Sequence, residues 1–245
     1  MQRYFAYKVS ENIILNKDDI FHIEKVMRSK VGEEFQIVCE NKVYLAKITS
    51  FKPFSFNIVK EIEESPELNG YIRLLYCLPK GEKLDFVIQK AVELGASEVV
   101  LVNSSRCVRR FNKSDYKNKI ERFNKIIKEA SEQSKRNKLM KLTDIIEYKD
   151  INKYFAEKSF IAYENSKEPL KSLYDDFKNI NGKTINILVG SEGGFSKEEV
   201  EYAEANNFKS ISLGKRILRS ETSCLYLLSL ISFFMEANLW NYLRY

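Results

Sequence analysis

At 245 residues the chain exceeds the usual single-domain length and can bury a large core, either as one big domain or as two unequal ones. Its 44% hydrophobic, 30% charged and 13% aromatic residues, without low-complexity segments or a fixed-period repeat, exclude a disordered or solenoid chain. The formal net charge is +6, and a single histidine, His22, excludes His-rich metal sites and leaves no natural Ser-His-Asp triad.

The first stretch, MQRYFAYKVSENIILNKDD, has no basic segment leading into an apolar core, so no leader is expected. His22 lies in DIFHIEKVMRSKVGE, where a structural or surface role is expected. Three β-rich runs follow at 35–40, 43–51 and 55–64, separated by short polar or Pro-containing turns, and predict an antiparallel meander or small barrel. After SPELNG at 65–70 the period changes. YIRLLYCL reads as a buried strand, KLDFVIQKAVEL as a helix ending at Gly95, and SEVVLVN as a strand; SFIAYE, TINILVG and ISL at 211–213 continue the theme with helical segments between them. Such alternation predicts an α/β domain, a mostly parallel sheet with helices on both faces, over 70–245, preceded by a smaller β domain over 1–69.

Charge divides the chain at the same place. Residues 1–70 carry 10 Lys/Arg and 11 Asp/Glu, so the whole positive excess lies in the larger part. Residues 104–141 alone hold 13 Lys/Arg against 4 Asp/Glu. A helix beginning near Ser114 would turn Ile120, Phe123, Ile127 and Ala130 inward and its lysines to water, which is an ordinary solvated face. Arg106, Arg109 and Arg110 differ, because they follow the strand SEVVLVN, and ligand sites of α/β sheets gather at the carboxyl ends of strands. Arginines there suit phosphates, so a nucleic acid is a candidate partner and an acidic small molecule remains open.

The stretch GSEGGFS at 190–196 joins the strand TINILVG to a helix. Ser196 and Glu199 form an S-x-x-E capping box, with Phe195 and Val200 spaced as its hydrophobic staple. Adjacent glycines before a helix allow positive φ and close approach of a ligand to bare backbone N–H groups. The spacing is neither that of a dinucleotide fold nor that of a P-loop. A second such loop, LGKRILRSETS at 213–223, leaves the next strand and enters the last helix, and two loops of this kind at one sheet edge make a pocket.

The pair VGSEGGFSKEE and LGKRILRSETS resembles the signature of the RsmE family, the 16S ribosomal RNA (uracil-N3) methyltransferases of the SPOUT superfamily. HIEKVMRSKVGE, KLDFVIQKAVELGASEVVLVNSSRCVRR and RFNKIIKEASEQSKR fall in the same order as in that family, so the resemblance spans the chain. It implies a PUA-like β-barrel for RNA recognition, then a SPOUT domain whose trefoil knot binds S-adenosylmethionine. It implies that Gly190, Ser191, Glu192, Gly193 and Gly194 form one wall of the cofactor site, that Leu213, Gly214, Ile217, Leu218 and Arg219 form the other, and that Tyr163 and Glu164 complete it. Arg219 would stabilise charge developing on the uracil oxygens and Glu221 would accept or relay the N3 proton. Alternatively Glu221 only caps the final helix and pairs with Arg216 or Arg219. Arg28, Arg106, Arg109, Arg110 and Arg136 are the candidate RNA contacts, on 16S ribosomal RNA or the small ribosomal subunit. Two departures stand out: the family usually has Pro where this chain has Ser191 and Ala where it has Ser223. A ribose 2′-hydroxyl methyltransferase of the same superfamily would carry an Asn-rich version of the glycine motif, which GSEGGFS lacks; a silent RNA-binding protein would not need the intact loops.

The final apolar stretch, from Cys224 to Trp240, is broken by Ser229, Ser232, Glu236 and Asn238 and reads as a buried helix rather than a membrane span. Leu225, Leu228 and Ser232 line one side of it, and Tyr226, Ser229, Phe233 and Trp240 another. A helix apolar all round must be covered all round, which predicts a homodimer. Four widely spaced cysteines (Cys39, Cys77, Cys107, Cys224) point to reduced thiols in a cytoplasm. Neither a metal nor a membrane is expected.

Overall fold

The computed structural model describes residues 1–108, 110–168 and 170–242, with side chains except at 113, 170, 171 and 238–242. The chain divides into two units, one of Met1–Glu67 with Lys128–Leu139 and one of Leu68–Ile127 with Met140–Tyr245. The break after Glu67 falls two residues before the sequence boundary. Inclusion of Lys128–Leu139 in the first unit has no counterpart in the sequence reading, because periodicity reports a helix without reporting what the helix packs on.

In the first unit, β1 (Arg3–Phe5), β4 (Glu34–Cys39), β5 (Lys42–Phe51) and β6 (Phe54–Ile62) form one sheet in that order. β1 pairs parallel to β4, which departs from a pure antiparallel meander, and the other pairings are antiparallel. β2 (Tyr7–Val9) and β3 (Asn12–Ile14) make a separate hairpin, followed by α1 (Lys17–Phe21) and a π-helical turn, His22–Val26. Phe35 opposite Ala46 and Ile37 opposite Tyr44 turn one face of the sheet inward onto Tyr4, Leu15 and Ile23. His22 is structural: its Nδ1 lies 2.9 Å from the Tyr4 hydroxyl.

Charged groups fasten Lys128–Leu139 into this unit. The Arg3 guanidinium, 1% exposed, donates to Asn137 Oδ1 at 2.8 Å, to Gln36 Oε1 at 3.1 Å and to the Lys135 carbonyl. Glu67 accepts from Arg136 at 2.6 Å and from the Asn137 and Lys138 backbone N–H groups at 2.8 and 3.0 Å. Lys128 pairs with Asp19 at 2.5 Å and with Glu132 at 2.6 Å. Buried charges are tolerated only when paired and hydrogen-bonded in this way.

The second unit is a six-stranded, wholly parallel sheet in the order β12-β10-β11-β7-β8-β9, formed by β7 (Tyr71–Cys77), β8 (Glu98–Asn103), β9 (Lys141–Glu147), β10 (Lys158–Ala162), β11 (Thr184–Val189) and β12 (Phe208–Ile211). β8 is buried at every residue, as a strand covered on both faces requires. The helices are α2 (Lys83–Glu93), α3 (Lys113–Gln133, whose residues from Lys128 onward belong to the first unit), α4 (Leu170–Phe177), α5 (Lys197–Ala205) and α6 (Ser220–Tyr242), and α2 packs on α6. No helix among the described residues is long and apolar enough to cross a membrane.

Candidate active site

Because all six strands run parallel, the ends of β7, β8, β10, β11 and β12 and the loops after them gather at one edge of the sheet, where ligands bind in open α/β folds. Gly190 is buried at the end of β11. A Cβ on it would lie 3.2 Å from the backbone of Gly194, and one on Gly193 would lie 3.0 Å from the Arg106 carbonyl. Gly194 has φ +64° and donates its N–H to the Ser191 carbonyl at 3.0 Å, closing the turn. The turn then enters α5 through the expected capping box: Ser196 Oγ accepts from the Glu199 N–H, and Glu199 Oε2 accepts from the Ser196 N–H. Glu199 Oε1 also accepts from the Ser105 N–H at 2.6 Å, tying the loop after β8 to the same helix end.

The second loop meets the first through Ser220, whose hydroxyl donates to the Gly190 carbonyl at 2.6 Å and lies 3.0 Å from the Tyr76 hydroxyl. Leu213 and Leu218 are half-buried, while Gly214, with φ +109°, and Arg219 are exposed. Ile217 is 87% exposed, an apolar side chain at the rim with nothing over it. Tyr163 is half-buried and Glu164 exposed; the Glu164 carboxylate lies 3.6 Å from where a Gly194 Cβ would stand. Tyr163 also lines a cavity with Ser166, Val200 and Ser210. The two departures from the family pattern both find partners, for Ser191 Oγ donates to the Arg106 carbonyl and Ser223 Oγ to the Arg219 carbonyl, each at 3.2 Å.

Among the ion pairs of the described residues Glu221 meets neither Arg216 nor Arg219. Its Oε2 is buried, accepts no aligned hydrogen bond among the described residues, and forms an ion pair at 3.1 Å with Lys83. The same ammonium lies 2.9 Å from Glu192 Oε1, and Glu192 also accepts from the Lys80 N–H at 3.2 Å. Burial pushes the Glu192 carboxyl up, but Lys83 and the backbone N–H groups outweigh it and hold the carboxyl below its ordinary range. The Glu192 and Glu221 carboxylates in turn raise Lys83. Lys83 escaped the sequence reading because KLDFVIQKAVEL fits an amphipathic helix whose lysines face water. A signal existed, since a lysine as the first residue of a helix opposes the helix dipole and calls for anionic partners.

Of the arginines, Arg106 and Arg110 are exposed beside the glycine turn, Arg106 donating to the Gly193 carbonyl at 3.1 Å and Arg110 to the Ser104 carbonyl at 3.4 Å. Arg109 lies outside the described residues. Arg28 is exposed in the first unit, at φ +53°. Arg136 is 5% exposed and committed to Glu67. Between Arg106 and Arg109, a hydrogen bond from the Cys77 thiol draws the Cys107 thiol down to about 6 against the opposing effect of burial.

A bare-backbone turn, an uncovered apolar side chain and the carboxylates of Glu164, Glu192 and Glu221 fit S-adenosylmethionine, which presents an adenine face, hydroxyl and ammonium donors and a cationic sulfonium. A family model described as an RNA methyltransferase domain matches residues 66–232, and one described as an RNA methyltransferase PUA domain matches residues 15–59. The second unit thus has the SPOUT methyltransferase fold, the first the PUA-like fold. Ribosomal RNA small subunit methyltransferase E of Bacillus subtilis is 33% identical, the match covering 96% of this chain and 98% of that protein. Its counterpart in Mesomycoplasma hyopneumoniae is 34% identical over 94% of this chain and 98% of its own. The crystal structure of a ribosomal RNA small subunit methyltransferase E from Neisseria gonorrhoeae, bound to S-adenosyl methionine, matches with a TM-score of 0.81 at 27% identity, covering 94% of this chain and 95% of that one. The chain belongs to the ribosomal RNA small subunit methyltransferase E family.

Proposed function

We propose that this protein methylates N3 of a uridine in 16S ribosomal RNA of the small subunit, in the cytoplasm, and acts as a homodimer. The observation that carries the reading is the joining of turn 190–194 to loop 212–219 through Ser220, which brings both candidate cofactor walls and Glu221 to one sheet edge. S-adenosylmethionine supplies an activated methyl group there. The chain has to hold it, orient the uracil and take the N3 proton. The turn offers backbone groups on one side, Leu213, Gly214, Ile217 and Leu218 border the other, and Tyr163 and Glu164 close the third. The exposed Arg219 guanidinium stabilises negative charge on the uracil oxygens, and Glu221 accepts or relays the proton. Arg106 and Arg110 in one unit and Arg28 in the other contact RNA phosphates; Arg136 is held by Glu67 within its own unit. The dimer reading is supported by exposed aromatic side chains on neighbouring helices, Phe233 at 62% on α6 and Tyr174 at 58% on α4, too apolar a strip for a helix facing water.

Small subunits from cells lacking the protein, incubated with purified protein and cofactor and digested to nucleosides, should yield 3-methyluridine absent from the untreated subunits. Formation of 2′-O-methyluridine instead would move the enzyme to another branch of the superfamily. Cofactor binding without transfer to any nucleoside would make it a silent RNA-binding protein.

A further inference from the structure

We propose that Lys83 is a positioning residue for methyl transfer, one ammonium that sets the Glu221 carboxylate while leaving the cofactor wall largely to other contacts. The inference rests on the function proposed above. Lys83 begins α2, which packs on α6, and its Nζ reaches Glu192 Oε1 at 2.9 Å and Glu221 Oε2 at 3.1 Å. The two carboxylates depend on it unequally. Glu192 keeps both its oxygens within 3.2 Å of the Lys80 N–H whatever happens at position 83. Glu221 Oε2 is buried without an aligned donor, so Lys83 is its sole charged partner among the ion pairs of the described residues. Deleting the ammonium therefore leaves turn 190–194 held by Lys80 and by Ser220, which still donates to the Gly190 carbonyl at 2.6 Å, and strands only the carboxylate assigned to the proton. A buried carboxylate without a cation is no longer held in one orientation, and a base not aimed at the proton it must take is lost to the reaction. The position of Lys83 supports this assignment, because the first turn of a helix is electrostatically unfavourable for a cation unless anions face it.

The test compares Lys83→Met and Lys83→Arg, each alone and in a Glu221→Gln background, using isothermal titration of S-adenosylmethionine and the single-turnover rate of methyl transfer to small subunits. Lys83→Met should lower the rate at least tenfold while cofactor affinity changes less than about threefold. Lys83→Arg should restore most of the rate, and Lys83→Met should cost little further once Glu221 is Gln. Equal losses of affinity and rate without rescue by arginine would reduce Lys83 to a structural pin. An unchanged rate in Lys83→Met, or full additivity with Glu221→Gln, would remove it from the reaction. A wild-type protein that binds cofactor yet transfers no methyl group overturns the functional reading and this inference together.

Discussion

Gly193 and Gly194 stand side by side for different reasons. At Gly193 the constraint is space, since a Cβ would press on the Arg106 backbone at 3.0 Å; at Gly194 it is conformation, since φ +64° costs an L-residue roughly 1–2 kcal/mol. Valine, β-branched and bulky, is poorly suited to either position. Gly193→Val and Gly194→Val should each abolish saturable S-adenosylmethionine binding in a calorimetric titration. Gly182→Ala, at φ +77° with open space around it at the start of β11, should leave binding intact. Retained binding in both turn variants would dismiss this turn as a cofactor wall. The glycines were legible in the sequence because their spacing is itself the constraint. Lys83 was not, because nothing local tells a lysine facing water from one facing carboxylates brought from elsewhere in the chain.

Elements were readable where their determinants are local. Ser196 and Glu199 announce α5 and bond reciprocally as the S-x-x-E pattern demands. The apolar runs that became β7, β8, β10 and β11 are continuous, as buried parallel strands should be. β9, KLTDIIE, went unread because an edge strand with charged residues does not look like a core strand, and β12 lies a few residues before the expected ISL because Phe208 opens it. The segment Lys128–Leu139 is invisible for a further reason: its partners Arg3, Asp19, Glu64 and Glu67 are distant in sequence. Glu67 gives this docking a pH dependence. Although burial pushes its carboxyl up, Arg136 and two backbone N–H groups outweigh burial and hold the carboxyl below its ordinary range. A group lowered on folding stabilises the native state fully above its unfolded value and loses that contribution as pH falls through the folded one. Glu67→Gln should therefore destabilise the first unit by about 3 kcal/mol at pH 7, as expected when a buried ion pair loses one partner. Hydrogen exchange of the β4–β6 amides would register the loss, and the gap from wild type should narrow below pH 4.5. A gap independent of pH would assign the effect to packing instead of charge.

At the scale of the whole molecule, the exposed Tyr174 and Phe233 belong to an aromatic cluster with Phe234, whose ring centroid lies 5.5 Å from that of Tyr174 and 5.7 Å from that of Phe233; Trp240 falls outside the side chains described. Sedimentation equilibrium at micromolar concentration should give about twice the single-chain mass of 28.7 kDa, and Phe233→Asp should shift it toward the monomer. A wild-type mass near 28.7 kDa would end the dimer proposal. The divided make-up of the first unit has a different consequence, in time. On a ribosome the N-terminal part of a chain emerges first and ordinarily folds first. Here the first sixty-seven residues leave the exit tunnel with Arg3 and Glu67 lacking Asn137 and Arg136, and they stay so until residue 139 is clear of it. In the interval, β7, α2, β8 and the first turns of α3 are all synthesised. The unit that begins the chain is thus completed only after much of its successor has been made, and for those seconds of translation Glu67 lacks its cation while Arg3 has only Gln36 and Glu64 to answer it.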